Sequence, residues 1–580
     1  MAGVVSAGHE KTAEAGQIIL QAGGNAFDAA VAAAFMGCVA EPTLTSLGGG
    51  GFLLAHQAEG SADNRNILFD FFTQTPSSRM PSRQTPSRQT SSRQTSSRQT
   101  SGRQTSNSSL DQTQLLDFYP IEANFGDSVQ EFHIGLASMA VPGIFAGLLA
   151  VHKKLGRLPL NLVVEPAVSC AREGLTVTDF QGYCYELLHP ILLATPAARR
   201  IYAPQGHQLQ AGERIHMPEF ADVLENLASL GHDAAKRAFY EGEIAQKTVR
   251  DAQSGGGVLR MEDFCQYSVI ERSPLSINYR GVQILTNPPP SAGGSLIAFG
   301  LELLDRFDLS AMTFGSVEHL MLLSQVMRWT NEARRSHLDD ALFDPGIADA
   351  FTATDLVEKY AQPIQKTMAQ SLNRWGSTTH LSVIDDEGNA ASITTSNGEG
   401  SSYVIPNTQI MMNNMLGEED LNPNGFHQWP LNQRMSSMMA PTLILAAGTP
   451  QLALGSGGSN RIRTAILQVI SNLLDFNMTL AEAVQAPRIH WENGVFHLEP
   501  GLLDPVSPAP DSHKAPSNPS NPSNSSNIDT TFVTEALGTD RVVRWQQANM
   551  FFGGVHTVGV DSSGTLQGAG DPRRSGAIAQ

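Results

Sequence analysis

Gly376-Ser377-Thr378-Thr379-His380-Leu381-Ser382-Val383-Ile384-Asp385 is the stretch on which the reading turns. Leu381, Val383 and Asp385 alternate with Ser382 and Ile384, which is the period of a strand. Asp386-Glu387-Gly388-Asn389 supplies a turn and Ala390 to Thr395 a returning strand, so a hairpin is predicted with Thr378 at its mouth. The small Gly376-Ser377 pair lets the backbone bend sharply just before it. A threonine inside a chain is a poor nucleophile, because its hydroxyl proton has no useful acceptor. At the start of a chain its own α-amino group, with an ordinary pKa of about 7.7–8, takes that role. Thr378 therefore reads as a residue that begins mid-chain and becomes a new N-terminus. A plain hairpin with a threonine pair at its edge accounts for this stretch taken alone, so the rest of the chain has to decide.

With 580 residues there is room for more than one domain, or for one large layered domain. The net charge of −18, without a long basic run, argues against nucleic acid as a partner, since phosphate neutralisation needs clustered Lys and Arg. Cys38, Cys170, Cys184 and Cys265 are far apart and form no CxxC, which fits reduced thiols and neither a disulfide framework nor a zinc site. Met1 to Ser6 has no basic segment followed by a long apolar one, and the apolar run Ala29 to Ala40 is too short to span a bilayer. With Met1 as the true start, the expectation is a cytoplasmic protein with no membrane partner.

Upstream of the hairpin, Glu10 to Ala22 has the pattern of an amphipathic helix closed by Gly23-Gly24. Asn25 is placed to cap a second helix, Ala26 to Val39, apolar nearly all round and hence buried. Gly48 to Gly51 then runs into a strand, either as a flexible turn or as backbone drawn close to a site; no GKS/GKT ending or GxGxxG spacing supports phosphate binding. Further strands are expected over 67–76, Thr442 to Ala446 and Gly553 to Val558, and helices over Ile144 to Leu155, 218–250, from Ser295, and over Asp355 to Leu372. The Asn287 to Gly294 loop reads equally as a connection or as a site wall. Gly455 to Asn460 opens a helix, Arg461 to Leu474, whose first N–H groups suit an oxyanion. Arg461 and Arg463 fit an acidic substrate or a solvated helix start. Two low-complexity inserts, the Arg-Gln-Thr repeat at about 77–110 and a Ser-Asn-Pro repeat at about 507–527, read as disordered and non-catalytic.

Gly24 to Ala30, Gly48 to Gly51, Thr378-Thr379-His380, Ser436-Ser437-Met438 and Gly455 to Asn460, in this order from about Ala7 to Ala577, resemble the γ-glutamyltransferases. The resemblance implies an α+β, four-layer αββα sandwich of the N-terminal-nucleophile type, made as a precursor. It implies cleavage of the Ser377–Thr378 bond into a large piece, 1–377, and a small one, 378–580, which together form one domain. The implied partners are a small γ-glutamyl substrate and these two pieces of the same precursor, with the oligomeric state left open. No metal or organic cofactor is implied.

Within that resemblance Thr378 matches the nucleophile, and Ser396 falls where a second threonine hydrogen-bonds it. Gly458 and Ser459 fall where two glycines donate N–H groups to the oxyanion. Ser436 and Ser437 match a pair that binds the glutamyl α-carboxylate, and Glu418 stands at an aspartate that contacts the α-amino group. Arg79 is the candidate for the carboxylate-pairing arginine. Gly398 and Met415 depart from the family's asparagine and Gln or Glu, so the catalytic parts are kept while the glutamyl-binding parts are partly rebuilt. His380 is expected to be structural, because the amine suffices as base, and Glu399, Glu418 and Glu419 also fit a solvated acidic loop. The resemblance points to a self-processing γ-glutamyl hydrolase or transferase acting on glutathione-like amides, in a divergent, cytoplasmic-type branch. The alternatives are a related acylase for glutaryl or β-lactam-type amides, and an unprocessed, non-catalytic binding protein.

Overall fold

The predicted hairpin lies at the centre of a sheet. In the computed structural model, which describes residues 2–58, 65–78, 116–124, 129–364, 378–422, 425–492, 494–502, 541–561 and 563–580, the strands Thr379–Asp385 and Ala390–Ser396 pair antiparallel. They occupy the middle of a seven-stranded sheet in the order Ala577–Ala579, Gly3–Ala7, Thr379–Asp385, Ala390–Ser396, Gly50–His56, Asn66–Phe71, Ile270–Arg272. Every pairing in it is antiparallel. A six-stranded antiparallel sheet faces it, in the order Leu566–Ala569, Gly554–Val560, Thr449–Gly457, Thr442–Ala446, Val282–Thr286, Leu275–Tyr279. Both sheets take strands from before and after position 378. Arg79, Ser377, the Arg-Gln-Thr repeat beyond Ser78 and the Ser-Asn-Pro insert lie outside the described residues.

Side-chain alternation explains the layering. Val5, Leu53, Phe69, Leu381 and Val383 join one hydrophobic core together with the helices Glu10–Gln21, Ala26–Ala40 and Ile144–Leu155. Their strand neighbours Val4, Leu54, Leu68 and Ile384 join a second core with the facing sheet and the helices Ala292–Leu304, Val317–His337 and Arg461–Leu474. The result is helices, sheet, sheet, helices: an αββα sandwich. All seven residues of Thr379–Asp385 are buried, because both faces of the strand are covered. Polar side chains between the sheets close their hydrogen bonds there: Ser382 Oγ donates to His556 O at 3.3 Å and Ser392 Oγ to Leu454 O at 2.9 Å.

The Ala26–Ala40 helix is buried along its whole length, as its composition requires. Asn25 caps it with a reciprocal capping box: its side chain accepts from Phe27 N and Asp28 N, while the Asp28 carboxylate accepts from Asn25 N. Asp385, at the hairpin turn, accepts from Ala26 N at 2.9 Å and so ties the turn to the start of this helix. Gly49 marks a close approach, since a Cβ there would lie 2.2 Å from Ser396 O. The glycine cluster is thus a close packing of two backbones.

Residues 218–250 are helical as the pattern predicts, in three helices, Pro218–Ser229, His232–Tyr240 and Glu243–Gly255, separated at Gly231 and Gly242. One expectation changes. The strand expected over 67–76 is Asn66–Phe71, because Gln74 already bridges to Val141 and Arg434. The helix expected over Asp355 to Leu372 is present as Thr354–Ile364, and residues 365–372 lie outside the described residues.

A buried ion network pins the chain's end to the second layer. Asp571 meets Arg488 at 2.6 Å and Arg573 at 3.2 Å, and Arg573 forks onto Glu499 at 2.7 and 2.5 Å. Burial raises the Asp571 pKa, but the two guanidiniums outweigh it and leave the carboxyl below its ordinary 3.8. Its stabilisation is therefore present above 3.8 and is lost as pH falls through the lower folded value. Asp571→Asn, which leaves two buried cations short of charge, is expected to cost about 3–5 kcal/mol near neutral pH. Denaturant unfolding at pH 7 checks this, and an unchanged midpoint would show that the network contributes nothing.

Candidate active site

Thr378 sits where the Thr379–Asp385 strand begins, between the two sheets, and is 5% exposed. Its carbonyl accepts from Arg574 Nη1 at 2.9 Å. A Cβ at Gly457 would lie 2.0 Å from the same oxygen, so the facing strand must be glycine there. On the helical side, Thr379 Oγ1 donates to Glu41 Oε2 at 2.5 Å, and Thr12 Oγ1 donates to Glu41 Oε1 at 3.0 Å. Burial raises the Glu41 pKa, and the two hydroxyls moderate that effect. The peptide joining Thr378 to Thr379 is thus held from both faces of the sheet.

Ser396 ends the neighbouring strand, one step beyond the Thr379–Thr395 pair, and its Oγ accepts from Gly398 N at 3.0 Å. Gly458 and Ser459 join the strand Thr449–Gly457 to the helix Arg461–Leu474. Their carbonyls accept from Arg461 N and Ile462 N, both at 3.0 Å, and their own N–H groups have no partner among the described residues. Such a pair of free donors suits a developing negative oxygen. Ser459 Oγ also donates to Asp420 Oδ2 at 3.0 Å.

Ser437 is locked in place. Its Oγ accepts from Met439 N at 3.0 Å, and its carbonyl accepts from Ala292 N at 2.9 Å, Gly293 N at 3.2 Å and Ser291 Oγ at 2.8 Å. The Pro-rich loop before the Ala292–Leu304 helix is therefore a buttress of the site, not a bare connection. Ser436, half-buried, stands next to it.

The acidic loop is not solvated: Glu399 is 1% and Glu418 8% exposed, while Glu419 alone of the three faces out. Glu418 Oε1 has no hydrogen-bond partner among the described residues, and burial, then Glu399 and Asp420, hold its carboxyl well above the ordinary range. A Cβ at Gly398 would fall 2.2 Å from Glu418 Oε1, so the missing side chain at 398 is the space the longer glutamate fills.

Thr378, Ser396, Glu418, Ser436, Ser437 and Ser459 line one pocket, with about 670 Å³ of empty space when open solvent is included. Gly458, next to Ser459 in sequence, is not among the residues that line it. Phe72, Leu342, Met415 and Met438 form its apolar wall, and Arg334, Asp339 and Asp420 complete its charged lining. A wider hollow of about 1850 Å³, bordered by Tyr183 and Trp545, contains none of the expected catalytic residues.

Arg461 and Arg463 serve neither of their expected roles. Both are buried: Arg461 lies 5.0 Å from the Phe551 ring centre, and Arg463 donates to Asn331 at 2.8 Å. His380 is structural, with Nδ1 2.8 Å from Thr394 Oγ1 and Nε2 2.9 Å from Ser382 Oγ. Burial, with His556 nearby, holds its pKa well below 6.5, so it stays neutral. All four cysteines are free thiols, and no cluster of metal-ligating side chains occurs among the described residues. Nor is any described helix long and apolar enough to cross a membrane. Sequence reading missed Glu41, Arg334 and Arg574. Glu41 and Arg574 bond to residues far away in the chain, Arg334 to Asp339 five residues on, and no local motif marks any of the three.

The gamma-glutamyltranspeptidase family model matches residues 12–94 and 89–580. The glutathione hydrolase proenzyme of Escherichia coli (strain K12) is 29% identical over 600 residues, covering 98% of this chain and 90% of the relative. An acylase ACY 1 proenzyme of Pseudomonas sp. (strain SE83) is 31% identical, covering 87% of this chain and 86% of its own. The fold is that of a cephalosporin acylase from Bacillus halodurans, with a TM-score of 0.76 at 22% identity over 100% of this chain and 95% of the other. With its motifs in family order and a match running nearly end to end, the chain belongs to the gamma-glutamyltranspeptidase family.

Proposed function

We propose that this protein is a self-processing γ-glutamyl hydrolase or transferase that uses Thr378 as its nucleophile. One observation carries the reading: hydroxyls from separate segments of the chain, Thr378, Ser396, Ser436, Ser437 and Ser459, line a single pocket together with the buried carboxyl of Glu418. In the precursor, Thr378 Oγ1 attacks the Ser377 carbonyl carbon, the peptide shifts to an ester, and water cleaves it. Two pieces result, 1–377 and 378–580, with a free amine on Thr378. The sheets interleave strands from both pieces, so cutting leaves one folded body.

In the mature enzyme that amine takes the Thr378 hydroxyl proton as Oγ1 attacks the donor amide carbon. The negative oxygen that forms is met by the N–H groups of Gly458 and Ser459. The amine then returns the proton to the leaving nitrogen, and water or an amine resolves the acyl-enzyme. Ser396 supplies a hydroxyl beside the nucleophile, Ser436 and Ser437 take the donor carboxylate, and Glu418 takes its ammonium. Arg574 fixes the carbonyl of the nucleophile's own residue and so its orientation.

A second reading, an acylase for glutaryl-type amides, draws on the apolar wall of Phe72, Met415 and Met438 and on the acylase relatives. The two readings differ in whether the donor ammonium is recognised.

Thr378→Ala is expected to remain a single chain and to lose about 10³-fold or more of the γ-glutamyl anilide activity. Intact-mass analysis of wild type should find a piece beginning at Thr378. A cut or active mutant removes Thr378 from its role.

The Glu418 carboxyl is held above its ordinary range, with Glu399 and Asp420 as the charges facing it, so its ionised form grows as pH rises. The KM for a γ-glutamyl anilide should therefore fall with rising pH, while the KM for a glutaryl anilide stays level. Glu418→Gln should raise the γ-glutamyl KM about 10-fold and flatten its profile. Equal, level profiles for both donors in wild type would favour the acylase reading.

A further inference from the structure

The pocket needs a cation for the carboxylate end of its donor, and its lining contains one. Arg334 is the only Lys or Arg among the described residues that line the cavity of Thr378. It belongs to the last turn of the Val317–His337 helix, and its Nε donates to Asp339 Oδ1 at 2.7 Å. That bond holds one edge of the guanidinium. Neither Nη atom has a hydrogen-bond partner among the described residues, and the side chain is 19% exposed. A planar group gripped at Nε presents its two-nitrogen edge as a fork, the shape that accepts a carboxylate with two parallel hydrogen bonds.

The acids nearby do not claim this fork. Asp339 already sits on Nε, and Asp420 is met by Ser459 Oγ at 3.0 Å and Asn460 Nδ2 at 3.3 Å. The helix end does not explain the residue either: a C-terminal turn favours positive charge of any kind, and Arg335 and His337 provide it. The other arginines near the site are spent elsewhere. Arg434 pairs with Asp70 and donates to the carbonyls of Phe72 and Ser268, and Arg574 donates to Thr378 O.

We infer that Arg334 is the carboxylate anchor of the acyl donor, acting with the Ser436 and Ser437 hydroxyls in the place first assigned to Arg79. The inference rests on the reading of the Thr378 pocket as the acyl-donor site. It holds for γ-glutamyl and glutaryl donors alike, since both carry the carboxylate, so it survives either outcome of the ammonium question.

The experiment uses three 4-nitroanilides on the processed enzyme: γ-glutamyl, glutaryl and 4-aminobutyryl, the last lacking the carboxylate. Arg334→Gln should lower kcat/KM about 10- to 100-fold for the first two, mainly through KM, and leave the third within about threefold. Arg334→Lys should recover part of the loss. An equal loss on all three would mark a structural residue, and no loss, or the same carboxylate-selective loss from Arg79→Ala instead, would overturn the inference. Calorimetric binding of glutarate tests the anchor without turnover. Binding to wild type and not to R334Q supports it, and equal binding, or none to wild type, overturns it. If none of the anilides is cleaved while glutarate binding still depends on Arg334, the donor chemistry has failed and the anchor has not.

Discussion

The carbonyl of Thr378, entering the gap between two sheets, must be satisfied without water, and Arg574 does this from 196 residues away at 2.9 Å. The guanidinium is itself fully buried, and burial lowers its pKa to about 10, so it remains charged at neutral pH. Its position depends on the turn Pro572–Arg574, whose flanking Asp571 is fixed by Arg488 and whose Arg573 is forked onto Glu499. Two cations and two anions close on one another there, so the cost of burying each is offset by its neighbours. The backbone at Thr378 is thus tied to the turn Pro572–Arg574, through a network with no exposed member.

The same logic of buried charge shapes the pocket. Glu418 has no cation among the groups that set its pKa, only Glu399 and Asp420. Burial and two neighbouring acids thus act together to favour the neutral carboxyl. The room for it comes from a glycine: any side chain at 398 would collide with the carboxyl.

Some of this was legible in the linear sequence. The Thr379–Asp385 strand, the Asn25 cap, the buried alanine-rich helix and the glycine-flanked helix at Arg461 are each coded by neighbours within a few residues, where periodicity and capping chemistry act. The hydroxyl set was legible as well, because Thr378, Ser396, Ser436, Ser437 and Ser459 sit in recognisable short motifs, and the fold brings them to one cavity. The signs of solvation were not. Arg461 and Arg463 look like a wet helix start and are buried to 1% and 2%, while Glu399 and Glu418 look like a surface loop and lie inside.

Local pattern alone predicted a hairpin with Thr378 at its mouth, and the structure has it. Only the tertiary structure decided which charges surround it: that Glu41 backs Thr379, that Arg574 takes the carbonyl, and that Arg334 faces the pocket. The physical reason is range. Strand period and helix caps are set by bonds among adjacent residues, whereas the ionisation and role of a charged side chain depend on what covers it, and the covering segments here lie hundreds of residues away.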